Sequence, residues 1–113
     1  MKKMIIGVAS RQSIRARALK IASGDHQPRP DEPKVWFTSM RSLAEVLSDD
    51  NRALLRVIRE QKPESLSQLA EVTGRAPSNL SRTLKTMERY GLVEMQHELR
   101  TVVTASEFVI RTA

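Results

Sequence analysis

Over residues 10–22 and 38–90 the apolar positions recur every three or four residues, and from residue 92 onward they roughly alternate. The first repeat belongs to helices with one buried face and the second to half-buried strands. After a short β-prone run, Met4 to Val8, Ser10 can cap a helix reaching about Ala22 with Ile14, Ala18, Ile21 and Ala22 on one face and Arg11 and Arg15 off it. Val35-Trp36-Phe37 reads as a brief extended segment, with Trp36 and Phe37 as core or interface anchors. Thr38 or Ser39 then caps a short helix carrying Met40, Leu43, Ala44 and Leu47. A further helix starts near Asp49-Asp50, whose carboxylates suit its positive end. It runs to about Gln61 and buries Leu54, Leu55 and Ile58. The next begins at Ser65 or Ser67, carries Leu66, Leu69, Ala70 and Val72, and stops at Thr73-Gly74. The last starts at Pro77, a residue suited to a first helical turn, and runs to Tyr90 with Gly91 as its stop.

The alternating tail reads as a hairpin, Leu92 to Gln96 and Leu99 to Thr104 around His97-Glu98, with Phe108-Val109-Ile110 as a further strand. His-Glu is a poor two-residue turn because neither residue takes positive φ easily, so the pattern leaves the register open. The fold class expected is mainly α with a small β-hairpin wing, an α+β winged helix-turn-helix. Residues 24–33 hold three of the five prolines and one of the four glycines, a composition that interrupts periodic structure. The expected organisation is therefore a basic strand-and-helix arm with a Pro-rich linker over residues 1–34, and a winged helix-turn-helix domain over residues 35–113.

Composition narrows the classes. With 113 residues, 40% hydrophobic and 28% charged, the chain is of single-domain size and of globular composition. The absence of cysteine removes disulfides, thiolate metal sites and thiol nucleophiles. Arg11 follows Met4–Ala9 too soon for a secretory core segment, and no window approaches a membrane span, so a cytoplasmic protein without membrane contact is expected. The net charge of +6 is uneven. Residues 1–34 carry eight basic against three acidic side chains, the remainder eleven against ten. A local basic excess attracts phosphate or an acidic partner; it also suits a solvated arm.

The order of helix, helix, three-residue turn, helix and hairpin gives the functional lead. Ala70 is small where two helices cross, Gly74 supplies a permissive turn, and Leu80 anchors the second helix. On a wheel of about 100° per residue, with Leu80 at zero, Leu84 and Met87 fall within about 40° of it, while Ser78, Arg82, Lys85 and Arg89 fall at about 140–200°. A face of three cations and a hydroxyl suits a major groove walled by phosphate and floored by donors and acceptors; an ordinary solvated surface is the alternative. Recognition helices read bases mainly with N-terminal residues, which nominates Ser78, Asn79, Ser81 and Arg82, with Asn suited to adenine and Arg to guanine. Arg75, Lys85 and Arg89 are placed for phosphates. Ser67, on the preceding helix, and Arg100, in the hairpin, complete the candidate set. The hairpin is only weakly basic, with Glu98 at its tip and His97 beside it. A stripe of Arg52, Arg56 and Arg59 reads as a solvated face.

No enzyme is expected. His26 and His97 have no companion at metal-ligand or nucleophile spacing, the four glycines are scattered rather than forming a phosphate loop, and no cofactor is expected.

The stretches Ser67-Gln68-Leu69-Ala70-Glu71-Val72-Thr73-Gly74, Ser78-Asn79-Leu80-Ser81-Arg82-Thr83-Leu84-Lys85 and Glu88-Arg89-Tyr90-Gly91-Leu92-Val93 resemble the winged-helix core of MarR-like and ArsR-like transcriptional regulators. The whole layout is also similar to a group of small prokaryotic DNA-binding, antitoxin-like proteins. The resemblance implies a homodimer on a palindromic double-stranded operator acting as a repressor, with an autoregulating antitoxin as one form. The chain departs from MarR proteins in lacking their long C-terminal dimerisation helix, and from ArsR proteins in lacking thiolate sensors. The dimer contact is expected in the first 34 residues and at Phe108-Val109-Ile110, whose apolar content exceeds what the winged core needs. The competing reading is a protein-interaction module whose basic N-terminal segment binds and neutralises a partner such as a toxin.

Overall fold

The computed structural model describes residues 3–96, 100–103 and 107–112. The chain is an α+β protein, and its described residues form five helices, a three-stranded parallel sheet and an antiparallel strand pair. In chain order these are β1 (Lys3–Val8), α1 (Arg11–Ala22), β2 (Val35–Phe37), α2 (Met40–Val46), α3 (Asp49–Gln61), α4 (Leu66–Thr73), α5 (Pro77–Arg89), β3 (Val93–Gln96), β4 (Arg100–Val103) and β5 (Glu107–Thr112).

Serine hydroxyls start four of the helices. Ser10, Ser39, Ser48 and Ser65 each accept a hydrogen bond from the backbone N–H three residues on, satisfying a donor that the first helical turn leaves without a partner. The choice left open between Ser65 and Ser67 falls to Ser65. Asp49 and Asp50 occupy the first turn of α3, where carboxylates suit the dipole. Gly74 ends α4 in the left-handed region at φ 73, a conformation that costs glycine little.

The sheet has the order β2-β1-β5 with both pairings parallel. Parallel neighbours require a crossover of a dozen or more residues, and α1 with residues 24–33 forms the one from β1 to β2. Met4, Ile6 and Val8 stand in register with Phe108, Ile110, Val35 and Phe37 on one face. Ile6 and Phe37 are buried within a single core with Leu43, Leu54, Leu55, Ile58, Leu69, Leu80, Leu84, Met87, Leu92 and Val93. Phe37 also stacks on Tyr90, with ring centroids 4.3 Å apart. On the opposite face Trp36 lies across Gly7: a Cβ there would come 2.5 Å from two indole carbons. The Arg17 guanidinium of α1 sits over the indole, 5.3 Å from the ring centroid.

Two expectations about the N-terminal third change. The segment expected as an arm supplies the central strand of the sheet, so a division at residue 34 falls between paired strands. Met4–Val8 and Phe108–Ile110 pair with each other within the chain, which accounts for part of their apolar content and leaves Ile110 46% exposed. Residues 24–33, expected as a linker, are tied down around Glu32. Its carboxylate pairs with Arg17, with His26 Nε2 at 2.9 Å and with Arg29 Nε at 3.4 Å, while Arg111 donates to the Asp31 carbonyl at 2.9 Å. The hydrogen bond from His26, joined by that from Arg17, holds the Glu32 carboxyl at about 2, well below its ordinary value of 4.5. Of the apolar face expected on α1, Ile14 and Ile21 are half-buried whereas Ala18 and Ala22 are exposed. Among the described residues no helix is long and apolar enough to cross a membrane.

Candidate nucleic-acid interface

α4 and α5 are joined by residues 74–76 and followed by the β3–β4 pair. β3 and β4 run antiparallel with Val93 opposite Val103 and Gln96 opposite Arg100, which sets the register that the turn residues left open. His97, Glu98 and the side chain of Arg100 lie outside the described residues, so of the hairpin candidates only the backbone of Arg100, in β4, is placed.

On α5 the wheel holds. Leu80, Leu84 and Met87 are buried, and Ser78, Arg82, Lys85 and Arg89 are exposed on the other side. Arg82, Lys85 and Arg89 span about 10 Å of helix axis at 1.5 Å per residue, comparable with a major groove about 12 Å wide. Among the described residues none of the three makes an ion pair. Internal partners therefore leave their charge available to a phosphate. Pro77 opens the helix and no side chain caps its first turn. Arg82 borders a hollow of about 260 Å³ lined also by Glu45, Val46, Asn51 and Thr86. Ser81 is half-buried at the side of the helix, a poorer position for reaching a base than Ser78 or Arg82. Ser67 is exposed near the start of α4.

Arg75 and Asn79 are engaged with each other. Arg75 donates through Nε at 3.0 Å and Nη2 at 2.8 Å to Asn79 Oδ1. It also reaches Thr83 Oγ1 at 3.3 Å and Asn51 Oδ1 at 3.4 Å, and Asn51 Nδ2 in turn donates to the Val46 carbonyl at 3.0 Å. The guanidinium thus links the end of α2 and the start of α3 to the inter-helix turn and α5. A carbonyl oxygen has two acceptor positions, and Arg75 takes both on Asn79, so the two-point contact with adenine expected of Asn79 requires this pair to open. Thr83 and Asn51 were not singled out by sequence reasoning. The spacing of Arg75, Asn79 and Thr83 at intervals of four was the available signal.

Arg52, Arg56 and Arg59 are exposed along α3, and Arg52 pairs with Asp49 in the same helix. Among the described residues no cluster of His, Cys, Asp or Glu has the grouping a metal ion needs.

The family model HVO_A0114 matches residues 46–110, more than half of the chain. The chain belongs to the HVO_A0114 family. The HVO_A0114 match runs from the last residue of α2 into β5 and so includes the whole α4–α5 pair and the strand pair after it. No curated protein and no solved structure matches the chain.

Proposed function

We propose that the chain is a sequence-reading DNA-binding regulator of the winged helix-turn-helix kind, similar to MarR-like and ArsR-like repressors, with α5 in the major groove and the β3–β4 hairpin as the wing. The carrying observation is the division of α5: three buried apolar side chains on one side and, on the other, an exposed cationic face that makes no ion pair among the described residues. On this reading Ser78 and Arg82 face base edges, Lys85 and Arg89 hold phosphates, and Ser67 approaches the backbone. Arg75 positions the turn rather than the nucleic acid. The protein is then a binder rather than an enzyme, working on double-stranded DNA as a homodimer in the cytoplasm, where a repressor that is also an antitoxin would act on its own operon.

Titration of a labelled duplex at several salt concentrations tests this. Each phosphate contact contributes about −0.9 to the slope of log affinity against log salt, so Lys85→Ala flattens the slope by about one contact while lowering specific and random-sequence binding alike. A wild-type affinity insensitive to salt refutes the reading.

A second reading has its own observation. No residue of α1 is buried, Leu19 is 63% exposed, and Arg11, Arg15 and Lys20 face solvent, a basic surface that fits an acidic protein partner such as a toxin. Deleting residues 1–34 would remove β1, so the discriminating variant is the triple Arg11→Ala, Arg15→Ala, Lys20→Ala. Loss of a co-purifying partner with DNA binding retained would support a separate protein-binding role.

A further inference from the structure

β5 is an edge strand: it pairs with β1 on one side, and among the described residues no strand pairs with the other. An unpaired edge of six residues presents a row of N–H and C=O groups, which natural proteins cover, interrupt or use for association. Beside it lies a groove of about 390 Å³ lined by Met40, Leu43, Leu47, Phe108 and Ile110. Met40 is 51% and Ile110 46% exposed. The edge thus adjoins uncovered apolar surface.

We propose that this edge is the contact between two copies of the chain, joined by antiparallel pairing of β5 with its own counterpart about a two-fold axis at Val109. The segment Glu107-Phe108-Val109-Ile110-Arg111 carries the argument. A two-fold axis perpendicular to a sheet keeps each residue on its own face, so residues of like parity must stand opposite one another and the axis must pass at a residue. Centred on Val109, Glu107 of each copy stands opposite Arg111 of the other, giving two opposite-charge pairs on one face. Phe108 then stands opposite Ile110 on the other face, beside the apolar groove. Centred on Phe108 or Ile110, the charged residue falls opposite Val109 and the complementarity is lost. Arg111 donates through one nitrogen to the Asp31 carbonyl; a guanidinium has five N–H donors, so the rest of the group serves a second acceptor. The two three-stranded sheets become one of six strands, in the order β2-β1-β5-β5-β1-β2.

The partner is a second copy because the edge complements itself in charge, parity and apolar character at once. The inference supplies the dimer that the DNA reading calls for, yet it does not rest on that reading, since oligomeric state is measured without DNA.

Light scattering coupled to size exclusion is the test, on the full chain and on Glu107→Arg, Arg111→Glu and the double exchange. The wild type is expected at twice 12.8 kDa. Each single reversal sets like charges opposite one another at two places and weakens association by roughly tenfold or more, and the double exchange restores it. Circular dichroism confirms that each variant is folded. In parallel, Val109→Cys in this cysteine-free chain places two thiols opposite one another with Cα atoms about 4.5–5.5 Å apart, inside disulfide range. Oxidised glutathione, which accepts the two electrons and two protons released, then yields a covalent dimer. Ile110→Cys places its thiols two residues out of register, about 8 Å apart, and stays unlinked. A monomeric wild type overturns the proposal. So does a dimer indifferent to both single reversals, or one that cross-links at Ile110 rather than Val109.

Discussion

Arg75 separates two accounts of the turn between α4 and α5. As a phosphate contact it would matter only with DNA present; as the link seen in the structure it matters to the free protein. Arg75→Ala removes a two-pronged donation to Asn79 at 2.8 and 3.0 Å and two longer contacts to Thr83 and Asn51 at 3.3 and 3.4 Å. Hydrogen bonds from charged donors contribute about 1.5–3 kcal/mol where water is excluded, and solvent screening reduces this at a half-exposed site. Counting the Asn79 pair as one such bond at reduced strength, with a few tenths for each long contact, gives a loss of about 1–2 kcal/mol. At about 4–6 °C per kcal/mol for a chain of this size, thermal unfolding monitored by circular dichroism should shift down by about 4–12 °C. Arg75→Lys should recover less than half of this, because one ammonium cannot span Asn79, Thr83 and Asn51 together. An unchanged unfolding midpoint in Arg75→Ala, with affinity for duplex DNA reduced, would refute the positioning role and return Arg75 to the phosphate contacts.

Gly7→Ala forces a Cβ to within 2.5 Å of the Trp36 ring and should cost about 1–3 kcal/mol by overpacking, with a changed emission from the chain's single tryptophan; Trp36→Leu in the same chain should relieve most of the cost. Glu32 gives a pH dependence of known sign. Its folded-state value lies near 2 against an ordinary 4.5, so the ionised carboxylate stabilises the fold above about pH 4.5, and that contribution disappears as pH falls toward 2. Urea midpoints should therefore drop over this window in the wild type and fall less in Glu32→Gln. Leu80→Ala, at the fully buried centre of the α5 stripe, should lower stability by about 2–5 kcal/mol, as chemical denaturation will report.

The helices were legible because their signals are local. Serine caps, Pro77, Gly74 and the repeat of Leu80, Leu84 and Met87 act within one or two turns, and α5 accordingly separates its faces as its sequence requires. The parallel pairing of β1 with β5 has no such signal, since Met4 and Phe108 are in register across nearly the whole chain. An apolar run does not say which strand it will pair with, and the pairing uses only part of it, since Ile110 stays 46% exposed. The Pro-rich stretch misled for a related reason: composition registers broken periodicity, whereas its order comes from three cationic or imidazole groups converging on Glu32. Among the site residues, exposure on α5 was readable from the wheel. The capture of Asn79 by Arg75 was not, because hydrogen-bond partners depend on how the turn brings side chains together.

Whether α5 reads DNA sequence is decided by selecting bound sequences from a random duplex pool at near-physiological salt, with the wild-type chain and Arg82→Ala side by side. The wild type should enrich a two-fold symmetric site and Arg82→Ala should lose that enrichment, while salt-sensitive binding to random duplex persists. No enriched site with the wild type, or the same site enriched equally by Arg82→Ala, would contradict sequence reading by α5.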